Sequence, residues 1–177
     1  MDPIFVVFEG IDRCGKTSQA ELLRLCLKRL GHLATSYSTP DRRTATGELA
    51  GRFLRGEVGL KGSQAHLTAP LDAALALQCL LTCCRYEIAA RVKTVLSRSV
   101  SVTCARWWPS AVVYAEEEGL DRESVRETSS HLPEPDLYVL LDARPEAFGP
   151  GFVLVTTFPF GSTSASSTDA SVSRWTG

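Results

Sequence analysis

Ile4-Phe-Val-Val-Phe8 runs directly into Glu9-Gly-Ile-Asp-Arg-Cys-Gly-Lys-Thr17, and the order of these two stretches decides the fold. The first is a continuous apolar run of β-branched and aromatic residues. That is the pattern of a strand buried on both faces of a parallel sheet. From Gly10 the second fits G-x-x-x-x-G-K-[ST] at every position. Its glycines permit backbone conformations that turn successive N–H groups inward onto an anion. The spacing then predicts a helix over Ser18–Leu30, with Leu22, Leu23, Cys26, Leu27 and Leu30 on one face. Gly31 stands where a helix C-terminus wants glycine. Strand, Gly-rich turn and helix follow one another in the order a phosphate-binding loop requires.

The chemistry expected of such a loop assigns roles. Gly10, Asp12, Arg13, Cys14, Gly15, Lys16, Thr17 and Ser18 form the candidate nucleotide-phosphate cradle. Lys16 would reach the β- and γ-phosphates, and Thr17 would ligate Mg²⁺. Asp12 and Arg13 exceed what the motif demands. An Asp beside phosphate is repulsive unless a hydrogen bond, a metal or a sugar hydroxyl occupies it. An Arg inside the loop can clamp the transferring phosphoryl group.

Outward from the loop, Leu33–Ser38 reads as a second strand, Pro40–Arg43 as a loop and Thr44–Arg55 as a helix. Leu67–Leu96 is helix-forming and broken only at Pro70. Val100–Cys104 alternates into a strand, and Pro109–Glu118 reads as a helix ended by Gly119. Asp121 opens a further segment, and Leu137–Leu141 is a buried strand. Strands alternating with helices predict an α/β fold with a parallel sheet flanked by helices. From Ala147 onward the only charges are Asp169 and Arg174. Phe152–Thr157 is a possible fifth strand, and the Ser/Thr-rich stretch after Gly161 predicts disorder. The expected organisation is one domain over 1–146 and a divergent tail over 147–177.

A chain of 177 residues fits a single domain without a metal or disulfide staple. The net charge of −1 argues against a general nucleic-acid or membrane-surface binder. Cys14, Cys26, Cys79, Cys83, Cys84 and Cys104 show neither C-x-x-C pairs nor zinc spacing. They predict buried thiols in a reducing compartment, the cytoplasm or nucleus. No secretory signal and no run of apolar residues long enough to span a membrane is expected from the sequence.

Phe8-Glu-Gly-Ile-Asp-Arg-Cys-Gly-Lys-Thr-Ser-Gln19 resembles the opening of thymidylate kinases, F-E-G-x-D-R-x-G-K-[ST]-[ST]-Q. Thr39-Pro-Asp-Arg42 resembles the family's F-P-[DE]-R loop, and Cys84-Arg-Tyr-Glu87 its N-R-[WY]-E segment. Thr44, Gly47 and Phe53-Leu54 resemble the helix between them. Ala105-Arg-Trp107 with Ser110, Ala111 and Tyr114 sits where D-R-Y…S-G…[FY] is expected. Gly119-Leu-Asp121 and Leu132–Asp142 complete the series, so the resemblance covers residues 1–146. It implies a P-loop nucleoside monophosphate kinase fold with a five-stranded parallel sheet, commonly a homodimer. It implies phosphoryl transfer from ATP·Mg²⁺ to dTMP as the small-molecule substrate. Carried over by position, Asp12, Arg42, Leu81, Arg85, Arg106 and Ser110 face the acceptor nucleotide. The catalytic set is Asp12, Arg13, Lys16 and Arg106.

The departures matter as much. The aspartate of D-R-Y is Ala105, and the aromatic that stacks on thymine is Leu81. No R-x-x-F-G-x-E-R-Y-E lid and no closing helices follow Glu146. These departures leave open a nucleotide-binding chain with impaired turnover, or a related kinase for another nucleotide.

Overall fold

The computed structural model describes residues 2–57, 70–142 and 154–158. The chain divides into two compact units. The first holds Met1–Tyr37, Thr94–Arg106 and Glu134–Gly177, and the second Ser38–Lys93 and Trp107–Pro133.

The first unit is built on the sheet. The Ile4–Phe8 run becomes β1 (Phe5–Gly10), followed by α1 (Lys16–Arg29) and β2 (Ala34–Ser38). The other strands are β3 (Ser101–Ala105), β4 (Leu137–Asp142) and β5 (Leu154–Phe158), in the spatial order β2-β3-β1-β4-β5. β1 is central and pairs parallel with β3, Phe8 opposite Ala105, and with β4, Gly10 opposite Leu141. Its apolar residues are buried on both faces, as a continuous β-branched run requires. Val6, Phe8, Cys14, Ala20, Val139 and Leu141 form the core beneath α1.

β3 is the strand expected over Val100–Cys104; all five of its residues are buried, and Thr103 donates to the Thr35 carbonyl. Three features depart from the sequence reading. β5 pairs antiparallel with β4, where the resemblance implied a wholly parallel sheet. The connection from Asp142 to Leu154 falls short of the roughly dozen residues a parallel crossover needs. On α1 the inward residues are Lys16, Ala20 and Leu27, with Leu23 half-buried against the core; Leu22, Cys26 and Leu30 are exposed. The phosphate loop fixes the rotation of α1 by drawing Lys16 inward, and Ala20, Leu23 and Leu27 follow at helical spacing. Finally, Cys14, Cys84 and Cys104 are buried, but Cys26, Cys79 and Cys83 are exposed.

The cysteines give a direct test. All six are free. Burial pushes the Cys104 thiol far above its ordinary range, and burial also raises Cys84. Thiolate is the reactive form. In the native protein a chromogenic disulfide should therefore modify Cys26, Cys79 and Cys83 quickly. Cys104 and Cys84 should react only at the unfolding rate. Fast native labelling of Cys104, read by mass spectrometry, would contradict the burial seen here.

The second unit is helical: α2 (Ala45–Leu54), most of α3 (Pro70–Leu96), α4 (Trp108–Glu117) and α5 (Arg122–Thr128). Pro70 does not break α3 but opens it, where a missing N–H costs nothing. Residues 67–69 of the expected helix lie outside the described residues. Thr44 caps α2, its hydroxyl accepting from the Gly47 N–H, a device worth about 1 kcal/mol. Asp121 caps α5 in the same way through the Ser124 N–H. Ala111, Val112, Ala115 and Val125 pack α4 against α5. Over Asp72–Leu96, α3 is long and apolar enough by length and composition to cross a bilayer, although charged residues interrupt its apolar runs. Its buried stripe nevertheless holds Gln78, Thr82 and Arg85, and Glu87 accepts a hydrogen bond from Thr46 of α2.

Candidate active site

The loop between β1 and α1 has the backbone its sequence calls for. Gly10 sits at a φ of +141° and Gly15 at +90°. A β-carbon on Gly10 would strike the Leu141 carbonyl and the Cys14 sulfur, so strand packing and loop shape both demand glycine there. Arg13 takes a left-handed φ of +66°, unusual for a side chain that long. α1 starts at Lys16 from Gly15, without a side-chain cap and without an acidic residue in its first turn. The positive end of the helix and its first N–H groups therefore face the loop, which suits an anion.

Lys16 is drawn into the loop. Its Nζ donates to the Gly10 carbonyl at 2.7 Å and the Ile11 carbonyl at 2.5 Å, and approaches Cys14 Sγ at 3.7 Å. The side chain is almost fully buried. Burial, reinforced by the Arg106 cation, lowers its pKa from the ordinary lysine value. A cation held by neutral carbonyls without a carboxylate contact is poised to gain from an incoming phosphate.

Arg106 comes from the far end of β3. Its N–H donates to the Phe8 carbonyl at 2.9 Å, and its φ of +69° turns the chain sharply after Ala105. Its Nη2 then meets Asp12 Oδ1 at 2.6 Å. That hydrogen bond holds the Asp12 carboxyl below its usual range against the opposing effect of burial. Asp12 is thus ionised at neutral pH, and the pair weakens only as the pH falls through its depressed pKa. The charge that looked repulsive in a phosphate loop is occupied by an arginine. Thr17 and Ser18 are exposed at the start of α1. Among the described residues no cluster of three acidic, His or Cys side chains could hold a metal by protein ligands alone. The single hydroxyl of Thr17 beside a phosphate cradle fits Mg²⁺ that arrives with a nucleotide.

The sequence-predicted residues therefore separate into two sets. Gly10, Asp12, Arg13, Cys14, Gly15, Lys16, Thr17, Ser18 and Arg106 lie together in the first unit. Arg42, Leu81, Arg85 and Ser110 belong to the second. There, Arg85 is buried on α3 and its Nε donates to the Trp107 carbonyl at 3.2 Å. Leu81 lies one turn earlier on the same helix and is half-buried, as is Ser110 in the first turn of α4. Arg42 is exposed and lies across Gly51 of α2, its Nε 3.6 Å from where a β-carbon would stand.

Sequence reasoning assigned no role to Asp41, which the structure makes the anchor of that loop. Its carboxylate is buried and takes Arg43 in a fork, Nε to Oδ1 and Nη2 to Oδ2, both at 2.8 Å. Arg91 of α3 stands 3.7 Å away. The Arg43 hydrogen bonds hold the Asp41 carboxyl below its ordinary value. Its own carbonyl accepts from Thr44 N–H and Thr44 Oγ1, each at 3.0 Å. The available signal was an Asp beside two arginines in Pro40-Asp-Arg-Arg43, but the sequence does not say which arginine it holds. It holds Arg43.

A family model described as thymidylate kinase matches residues 8–148. The chain belongs to the thymidylate kinase family. The thymidylate kinase of Caenorhabditis elegans is 28% identical over 152 residues, 81% of this chain and 64% of that protein. The thymidylate kinase of Homo sapiens is 28% identical over 137 residues, 77% of this chain and 59% of its own length. The chain thus spans less than two thirds of the length of these curated relatives. Among solved structures, the thymidylate kinase of Ehrlichia chaffeensis superposes with a TM-score of 0.63 at 22% identity, covering 84% of this chain and 81% of that one. This likeness establishes the P-loop nucleoside monophosphate kinase fold that the opening stretch implied.

Proposed function

We propose that the chain transfers the γ-phosphoryl group of ATP to dTMP, giving dTDP and ADP for dTTP synthesis. A phosphate oxygen of dTMP attacks the γ-phosphorus. The bond from that phosphorus to the β–γ bridging oxygen breaks, and the electron pair leaves with ADP. The observation that carries this reading is the phosphate loop, with its uncapped helix and inward-drawn Lys16, in a chain of this family.

In this reading the N–H groups from Arg13 to Ser18 cradle the β-phosphate. Lys16 exchanges its carbonyl partners for phosphate oxygens. Thr17 would hold Mg²⁺ together with the nucleotide, and the ion would supply charge neutralisation at the transferred group. Arg13 supplies a second cation from inside the loop. Asp12 holds Arg106 extended at the end of β3, where ligands of parallel α/β sheets are bound. Arg42 takes the phosphate of dTMP, Arg85 the thymine, and Leu81 and Ser110 line the acceptor. The domain spans 1–146, and six free thiols suit a reducing compartment such as the cytoplasm.

Calorimetric titration separates the two ligand sets. Arg42→Ala should weaken dTMP binding at least tenfold, since a charge-assisted contact to phosphate is worth about 1.5–3 kcal/mol. ATP affinity should stay within twofold. Arg85→Ala should show the same selectivity, with a melting curve to register the packing lost at its buried site. If both variants bind dTMP like the parent, the acceptor site is not on these arginines.

A further inference from the structure

Gln78 is a buried polar residue with no part in the proposed phosphoryl transfer. It sits on α3 in the run Leu77-Gln-Cys-Leu-Leu81, where its neighbours are apolar. Its residue surface is only 3% exposed, and its amide oxygen has no hydrogen-bond partner among the described residues. Leaving a buried amide acceptor unmet costs about 1–3 kcal/mol, so native proteins rarely keep one without use. The position on the helix gives the use. Gln78 lies seven residues before Arg85, two turns along α3, and three before Leu81. At 100° per residue all three fall within about 60° of arc. Arg85 and Leu81 are the residues placed against the acceptor base.

We infer that Gln78 reads the base edge of the acceptor, its amide oxygen accepting the N3–H of an imide-type pyrimidine, thymine or uracil. The chemistry selects that class. An imide edge presents an N–H donor flanked by carbonyl acceptors. A side-chain amide presents one acceptor and two donors, so it meets N3–H with its oxygen. Cytosine carries an unprotonated acceptor at N3, which would face the same oxygen lone pair to lone pair. A site built to hydrogen-bond a donor rejects an analogue lacking it, because the protein group is then stranded. Leu81 gives no stacking aromatic, which leaves edge recognition with more of the discrimination to supply. This inference rests on the acceptor site lying along this face of α3.

The test uses the full chain, with dTMP, dCMP, N3-methyl-dTMP and ATP as calorimetric ligands, beside a melting curve without ligand. The parent should bind dTMP at least about tenfold more tightly than dCMP or N3-methyl-dTMP. Gln78→Leu should lose about tenfold for dTMP and less than twofold for the other two monophosphates, with ATP unchanged. It should melt at the same temperature or higher, because the unmet amide is gone. That combination separates recognition from support: a residue that only holds the fold would lower the melting temperature and weaken all ligands together. Gln78→Met, closer in shape, repeats the measurement. Failure of both variants to fold overturns the inference by making the amide structural. Tight dTMP binding by the parent with unchanged discrimination in the variants overturns the inference alone. A parent that binds neither dTMP nor dCMP overturns the acceptor reading, and this inference with it.

Discussion

Lys16→Ala should abolish measurable ATP binding at millimolar nucleotide, or weaken it at least about a hundredfold. The size follows from what Lys16 does before any ligand arrives. Its ammonium group is almost fully buried and held by the Gly10 and Ile11 carbonyls. Burial has already lowered its pKa, so part of the desolvation cost of a bound cation is met by the fold. Phosphate then gains a charge-assisted contact in a low-dielectric site, where such contacts are roughly twice as strong as neutral ones. Two of these at about 1.5 kcal/mol each make the expected factor. The alanine variant also leaves the Gly10 and Ile11 carbonyls without their donor. Fold integrity must therefore be followed by melting. A variant that melts near the parent and binds ATP with parental affinity would place the nucleotide elsewhere. Arg106→Ala is a useful companion. It frees Asp12 in the loop, so ATP binding should weaken less than in Lys16→Ala but with a stronger dependence on pH between neutrality and the acid range.

How much of this was legible in the sequence follows the distance over which each feature is determined. Gly10–Thr17 specify their own backbone, and a local motif can be read locally. The caps at Thr44 and Asp121 are local in the same sense, although their partners are visible only in the structure. The rotation of α1 was misread because five apolar residues at helical spacing compete with one lysine. The lysine wins, because its tether to Gly10 and Ile11 fixes the first turn. Leu22 and Leu30 are then carried outward, whatever their hydropathy. Asp12 and Arg106 are 94 residues apart, and composition gives no sign that β3 delivers one to the other. The positive φ of Arg106 was likewise hidden, since nothing about arginine announces a left-handed turn. Asp41 was ambiguous between two adjacent arginines. Gln78 shows the opposite case. Its isolation in an apolar run was visible, but only its burial and its unmet oxygen turn a lone glutamine into a candidate reader.

Ala105 carries the other large expectation. Family resemblance places an aspartate at this position, and the structure shows what alanine does there. Ala105 is fully buried at the end of β3, opposite Phe8 of β1 and one residue before the turn that aims Arg106 at Asp12. Ala105→Asp should therefore do two opposed things. Without ligand it places a carboxylate at a fully buried position. An uncompensated buried charge costs about 3–5 kcal/mol, so the melting temperature should fall by several degrees. The nearest compensation is cationic: Arg106 is adjacent in the chain and Lys16 lies within the same unit, though both are already engaged. With ATP·Mg²⁺ present, the carboxylate gains a cation that the parent site does not oppose with any acid from β3. The ligand-induced rise in melting temperature should therefore be larger in the variant than in the parent, by linkage between binding and folding. Transfer to dTMP should rise at least about tenfold, equivalent to 1.36 kcal/mol of barrier. The rise should exceed the gain from grafting a family lid after Glu146, because Arg13 already supplies a cation from within the loop. Grafting should mainly improve affinity for both nucleotides by excluding water. The two readouts are independent. A larger thermal shift without faster transfer would place the carboxylate at the nucleotide but outside the reaction. If the thermal shift is unchanged and only the graft raises turnover, Ala105 is a packing residue of β3 and the carboxylate has no part in transfer.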